Sequence, residues 1–334
     1  MRKMFKVGVV GAGSWGSAIS ILLARRGYEV WLYVREEEIR ESIKTKRVNP
    51  VYLPNVEFPK NIKALSDINE TVKDKDFVVF VVPVKYLRET ISSIEEKIDV
   101  PVISLSKGME NETFCRPSQI IENTLNIKTI AALSGPNFAL EVANGLPTAT
   151  VIASKDKDTA SFFQKAFSCE TFRVYTSEDI IGVEICGALK NVMAIAAGIS
   201  DGLNLGHNAR ASLITRGLAE MMRFGKVFNA KGETFIGLAG IGDLMLTATG
   251  NLSRNRRVGL QLAEGKTKDE ILSSMKMVPE GINTTKSVYE FAKKNSIEMP
   301  ITTEIYKILF ENKNPKEALK DLMNRPLKEE NYLL

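Results

Sequence analysis

A short β-rich run, Phe5-Lys-Val-Gly-Val-Val10, stops at Gly11-Ala-Gly13-Ser-Trp-Gly16, and no other feature limits the fold of this chain as tightly. A helical pattern follows from Ser17 to Arg26, with Ile19, Leu22 and Leu23 on one face and Gly27 placed to end it. Glu29-Val-Trp-Leu-Tyr-Val34 then reads as a second strand. Strand, glycine turn, helix and strand within about 30 residues is the setting in which a GxGxxG turn cradles a dinucleotide. Gly11 permits the tight turn, Gly13 lets the backbone approach a pyrophosphate, and Gly16 lets helix pack on strand. The helix N-terminus adds free N–H groups and partial positive charge.

Residues 47–63, with Pro50, Pro54 and Pro59, read as an extended loop. Asp76-Phe-Val-Val-Phe-Val-Val82 is a near-continuous apolar run, as in a central parallel strand buried on both faces. Further strands are expected at Pro101–Ser104, Thr129–Leu133, Thr148–Ala153 and Thr171–Tyr175. After Tyr175 the alternation stops, and helical patterns cover roughly 178–200, 208–226, 253–264, 268–274, 281–294 and 302–311. That change of period sets a boundary near residue 180. The expected class is α/β: a Rossmann-type doubly wound dinucleotide-binding domain over 1–180, then an all-α substrate-binding and catalytic domain over 181–334.

The charge balance of 45 basic and 40 acidic residues leaves +5, a slight tilt with no Lys/Arg stripe, so a nucleic-acid partner is not expected. Cys115, Cys169 and Cys186 are odd in number and outside any CxxC spacing, which fits a reduced cytoplasm and supports neither disulfides nor zinc. His207 is the only histidine, so no histidine metal site or triad is expected. Arg2, Lys3 and Lys6 before an apolar run mimic an export signal, but Gly11, Gly13, Ser14 and Gly16 break the run. No run of 18 uninterrupted apolar residues occurs, so no membrane span is expected.

Chemistry should gather beyond the carboxyl ends of the strands. Arg35 follows the second strand, where an arginine suits a ribose 2′-phosphate; it also reads as a solvated pair with Glu36 opening a helix. NADPH is therefore the preferred cofactor, with NADH still allowed. Lys107, and the turn Gly135-Pro136-Asn137, end two more strands and can touch cofactor or substrate, although Lys107 alone also reads as a surface lysine. Lys190 sits amid an apolar helical stretch, Glu184 to Gly198, where an unpaired charge is costly. It either snorkels outward or faces a cavity where its proton is used. Asp243 edges a glycine-rich loop beginning at Ile236, and serves either a site or a helix cap. Ser253, Arg254 and Asn255 open a helix whose N-cap is Ser253; Arg254, Arg256 and Arg257 there are either a solvated basic end or, since they crowd a positive helix end, the seat of an anion. Hydride transfer to or from a secondary alcohol also moves a hydroxyl proton. Without a suitable histidine, a buried lysine can carry it, because burial disfavours the charged amine.

These residues together resemble the bacterial NAD(P)-dependent glycerol-3-phosphate dehydrogenase family over nearly the whole chain. The resemblance rests on Gly11–Gly16, Ser106-Lys-Gly108, Leu133–Ala139, Gly187-Ala-Leu-Lys-Asn-Val192 through Ile199, Gly240–Leu244, Ser253–Asn255 and Pro279-Glu-Gly281. It implies reversible conversion of sn-glycerol 3-phosphate to dihydroxyacetone phosphate, supplying phospholipid synthesis, and a C-terminal domain like that of 6-phosphogluconate dehydrogenase. By matching position it implies cofactor contacts from Ser14, Trp15, Arg35, Lys107, Ala139, Arg254, Val278 and Glu280. Substrate contacts would come from Lys107, Gly135, Asn137, Asp243, Ser253, Arg254 and Asn255, with Lys190 as proton acceptor and Lys107 and Asp243 orienting. Asn137 stands where the family commonly has serine or threonine, and Pro279 replaces a usual valine; neither change removes a charge. A homodimer is left open. The rivals are a hydroxyacid dehydrogenase of the same plan, and a dinucleotide sensor without turnover, which leaves Lys107, Lys190, Asp243 and Arg254 unexplained.

Overall fold

The computed structural model describes residues 4–275, Met277 and 279–330. Ten strands occur among them: β1 (Lys6–Val10), β2 (Glu29–Tyr33), β3 (Val48–Asn49), β4 (Leu53–Glu57), β5 (Ile62–Leu65), β6 (Phe77–Phe80), β7 (Val102–Ser104), β8 (Ile130–Ser134), β9 (Thr148–Ala153) and β10 (Phe172–Ser177). Eight of them form one sheet in the order β10-β9-β8-β7-β6-β1-β2-β5. Neighbours run parallel except at β8 and β9, where Ser134 faces Val151 in antiparallel register, so β9 and β10 run against the rest. β1 and β6, central and flanked on both sides, are almost wholly buried, which is why their sequences are continuous Val and Phe rather than alternating. Phe77 of β6 meets Phe5, Phe162 and Phe163 edge-on, with ring centroids 5.6–5.8 Å apart, in the favoured offset geometry.

The expected loop at 47–63 is replaced by structure. β3 and β4 pair as a small antiparallel hairpin, and β5 adds the edge strand beside β2. β5 is four residues long and buries only alternate positions. Its Ile-Lys-Ala-Leu carries too short an alternation to stand out beside three prolines.

The second compact unit joins Gly108–Arg116 to Ile181–Leu334, whereas Met1–Lys107 and Pro117–Ile180 make the first. Residues 108–116 therefore pack with the helices rather than with the sheet that precedes them in sequence. Ser287 donates to the Met109 carbonyl at 2.9 Å, Phe114 packs edge-on against Phe291, and Arg116 pairs with Glu184 in the interior.

Below, α1 denotes Ser14–Arg25 of the first unit; in the second, α2 is Ile180–Gly202, α3 Gly206–Val227, α4 Asp243–Thr249, α5 Arg254–Ala263, α6 Glu280–Lys294 and α7 Pro300–Phe310. α2 is buried on every side over its middle. It is long and apolar enough to cross a membrane, yet 94% of its apolar window is buried inside the protein, as a core helix requires. The segment read as a glycine-rich loop ahead of Asp243 is instead a π-turn, Leu238–Gly242, running directly into α4. Glycine is needed there for packing: a Cβ on Gly240 would lie 2.0 Å from the Phe235 carbonyl oxygen.

Candidate active site

The glycine turn between β1 and α1 can be read atom by atom. Gly11 has φ +118°, and a Cβ there would sit 2.6 Å from the Val81 carbonyl oxygen. A Cβ on Gly16 would strike the Gly11 carbonyl at 1.9 Å. The protein itself requires both glycines. Gly13 differs: its φ of −66° and ψ of −176° suit any residue, and a Cβ would meet nothing within 4 Å. Glycine at 13 leaves open space directly at the N-terminus of α1, where a phosphate can reach backbone N–H groups. Trp15, half-buried beside it, has a buried indole N–H with no partner among the described residues. A dinucleotide fits this cradle. Ser14 begins α1, and Ala139 begins the short helix Ala139–Ala143 after β8. Arg35 lies two residues past β2, exposed, 3.2 Å from Glu36, which also accepts from the Tyr52 hydroxyl.

Beyond β7 and β8 the first unit gathers Lys107, Gly135 and Asn137. Lys107 Nζ is 3.4 Å from Asn137 Oδ1, and Asn137 Nδ2 is 3.3 Å from the Thr150 hydroxyl. Ser106 and Ser134 present buried hydroxyls without a partner among the described residues.

In the second unit Lys190 does not snorkel. Its side chain is 8% exposed, and Nζ lies 2.5 Å from Asp243 Oδ1 and donates to Thr247 Oγ1 at 3.0 Å. Thr247, one turn along α4 from Asp243, donates in turn to Asp243 Oδ1 at 3.2 Å. Asp243 is the first helical residue of α4, whose N-cap is Gly242. It compensates the lysine, so the cost of burying either charge is largely offset. Thr247 was missed by sequence reasoning; its i+4 spacing from Asp243 was the available signal, hidden because that segment read as loop.

α2 and α5 cross at backbone contact. A Cβ on Gly198 would lie 2.0 Å from the Arg256 carbonyl, and one on Gly259 2.1 Å from that of Ile195. This crossing sets Asn255 beside Asn191, whose Oδ1 accepts from Asn255 Nδ2 at 2.9 Å, while Asn255 Oδ1 accepts from Gly281 N–H at 3.0 Å. Asn255 thus ties α2, α5 and α6 together through both ends of its amide. Ser253 caps α5, its hydroxyl accepting from Arg256 N–H at 3.2 Å. Of the three arginines at this helix end, Arg256 is engaged elsewhere: it and Arg210 both pair with Asp201. Arg254 is half-buried, its Nη1 3.5 Å from Met277 Sδ. Burial pushes its guanidinium pKa below the usual value, and Glu280 at the start of α6 pulls it back up. Val278, expected at the cofactor, lies outside the described residues.

Two models of one family cover these elements: the N-terminus of NAD-dependent glycerol-3-phosphate dehydrogenase over residues 6–160, and its C-terminus over 179–320. The chain belongs to the NAD-dependent glycerol-3-phosphate dehydrogenase family. It is 49% identical over 329 residues to the glycerol-3-phosphate dehydrogenase [NAD(P)+] of Syntrophotalea carbinolica, covering 97% of this chain and 99% of that one. Identity to the Geobacter sulfurreducens enzyme of the same name is 45%, over 98% and 99% of the two chains. The crystal structure of the Coxiella burnetii glycerol-3-phosphate dehydrogenase superposes with a TM-score of 0.92 at 40% identity, covering 96% of this chain and 99% of that one. Family membership makes the chain an oxidoreductase, and its Rossmann-like parallel sheet and separate helical domain are those of the family's solved structures. Among the described residues no group of His, Cys, Asp and Glu is arranged to hold a metal ion.

Proposed function

We propose that this chain interconverts dihydroxyacetone phosphate and sn-glycerol 3-phosphate with NADPH or NADH, using Lys190 as the acid/base. One observation carries the reading: a lysine buried in an apolar helix keeps its amine on Asp243 and Thr247 instead of reaching solvent. The named activity of relatives at 45–49% identity supports the reaction.

NAD(P)H, when bound, would supply hydride to C2 of the ketone; Gly13, Ser14, Trp15 and the N-terminus of α1 would hold it, and Arg35 would suit a 2′-phosphate. The rest belongs to the chain's own side chains. Lys190 gives its proton to the C2 oxygen in reduction and takes it back in oxidation, a contribution of about 10²–10⁴ in rate. Asp243 fixes the ammonium in place, and Thr247 holds Asp243 Oδ1 and Nζ in one geometry. Arg254 and the N-terminus of α5 bind the phosphate, the guanidinium offering a fork of donors. Asn255, committed to Asn191 and Gly281, serves mainly to set that helix end, leaving one amide N–H for the same phosphate. Lys107 and Asn137 hold the carbinol end. Placement in the cytoplasm and supply of phospholipid synthesis complete the reading, supported by three free cysteines and by the family.

The experiment is NADPH oxidation with dihydroxyacetone phosphate, run beside a panel of 2-oxoacids. Turnover confined to the phosphorylated ketone is expected; preference for an oxoacid would transfer the chain to the hydroxyacid class, and binding without turnover would make it a sensor.

A further inference from the structure

Thr150 is fully buried on β9, outside every set of residues considered above for cofactor or substrate. Its hydroxyl donates to the Ser134 carbonyl at 3.0 Å. A hydroxyl has one proton, so once that proton is given to the carbonyl only lone pairs remain. Asn137 Nδ2, 3.3 Å away, must therefore be the donor toward Thr150, which turns Oδ1 of the same amide toward Lys107 Nζ at 3.4 Å. Flipping the amide would oppose its NH2 to an ammonium. It would also either set two acceptors against each other or take the Thr150 proton away from the buried Ser134 carbonyl. The same threonine also shapes the turn. A Cβ at Gly135 would lie 2.7 Å from Thr150 Oγ1 and 3.0 Å from its Cα, so the glycine is fitted to this side chain.

We infer that Thr150 is a positioning residue for the reaction: it fixes the Asn137 amide so that its carbonyl oxygen holds the Lys107 ammonium toward the substrate. The inference rests on the proposal that Lys107 and Asn137 hold the carbinol end. Thr150 acts only through them and touches no reacting atom.

Thr150→Val keeps the shape and removes the hydroxyl. One hydrogen bond of ordinary net strength predicts a KM for dihydroxyacetone phosphate raised roughly 3–10-fold. The KM for NADPH should stay as in the wild type, and Thr150→Ser should restore the substrate KM. In an Asn137→Ala background, Thr150→Val should add nothing further. An unchanged substrate KM in Thr150→Val, or the same rise with and without Asn137, would overturn the inference. A merely structural role would move both KM values and the melting temperature together, and would not be rescued by serine alone. Should Thr150→Val fail to fold, the wild type still decides: the Asn137 side-chain amide, assigned by NMR through its loss in Asn137→Ala, should show one N–H protected from exchange. Rapid exchange of both protons would count against the inference. If the wild type does not turn over dihydroxyacetone phosphate, the proposed function fails. If it does, and Lys107→Ala raises KM while Thr150→Val does not, only the role of Thr150 fails.

Discussion

Removing one charge of the Lys190–Asp243 pair should destabilise the protein more than removing both. The two side chains are 8% and 1% exposed and 2.5 Å apart, so water cannot compensate whichever is left alone. Breaking a buried pair from one side costs about 3–5 kcal/mol. At roughly 2–4 °C per kcal/mol for a unit of this size, Asp243→Asn should melt about 6–20 °C below the wild type. Lys190→Met should fall at the lower end, because the Thr247 hydroxyl still donates to the stranded carboxylate. The double variant leaves a neutral amide beside Thr247 and no unpaired charge. Its loss should be smaller than either single loss, so the coupling between the two sites should be at least as large as the larger single loss, about 3–5 kcal/mol. Urea unfolding of the four proteins measures this directly, and activity supplies the contrast. Stability should be partly recovered in the double variant, whereas turnover should stay about 10²–10⁴ below wild type in both proteins lacking the lysine. Additive stability losses would refute the shared charge pair. Recovered turnover in the double variant would refute the acid/base role.

Glu220 of α3 makes a separate prediction about pH. Its buried carboxylate accepts from Ile301 and Thr302 N–H at the start of α7, yet burial outweighs those bonds and raises its pKa from 4.5 to about 7. Between those values the unfolded chain ionises while the folded one keeps its proton, so stability is fully present below pH 4.5, falls as pH rises, and levels off above 7. The loss from this group should be about 3 kcal/mol, and Glu220→Gln should flatten that part of the melting-temperature profile; an unchanged slope would remove Glu220 as its source. Arg254→Ala should raise KM for dihydroxyacetone phosphate roughly 10–100-fold with a smaller change in kcat, as loss of a charge-assisted contact requires; unchanged KM for both phosphorylated substrates would put the anion elsewhere. Arg35→Ala should weaken NADPH binding and leave NADH binding nearly as it was, and equal affinities before and after would take this arginine out of cofactor choice.

How much was legible in the sequence depended on the kind of signal. The central strands declared themselves through unbroken apolar runs, because strands covered on both faces have no polar side to show. The long helices α2, α3 and α6 were legible to within two residues at each end. β5 was lost because four half-buried residues carry almost no period, and α4 because three glycines disguise a π-turn packed under Phe235. Within the candidate site, single charged residues in apolar surroundings stood out, as Lys190 did. Their partners did not: Thr247 pairs with Lys190 across 57 residues, and Arg116 with Glu184 across 68, contacts that only the folded chain can reveal. The basic end of α5 was half-legible. Three arginines in sequence suggested one anion site, but Asp201 claims Arg256 and leaves the half-buried Arg254 there.

The most direct test is the single-turnover rate of dihydroxyacetone phosphate reduction by Lys190→Met, with NADPH binding measured on the same sample. A rate at least about 10²-fold below wild type, with NADPH affinity intact, is the predicted result. A near-normal rate would show that another group moves the proton and that the buried pair of Lys190 and Asp243 serves only to hold the helices together.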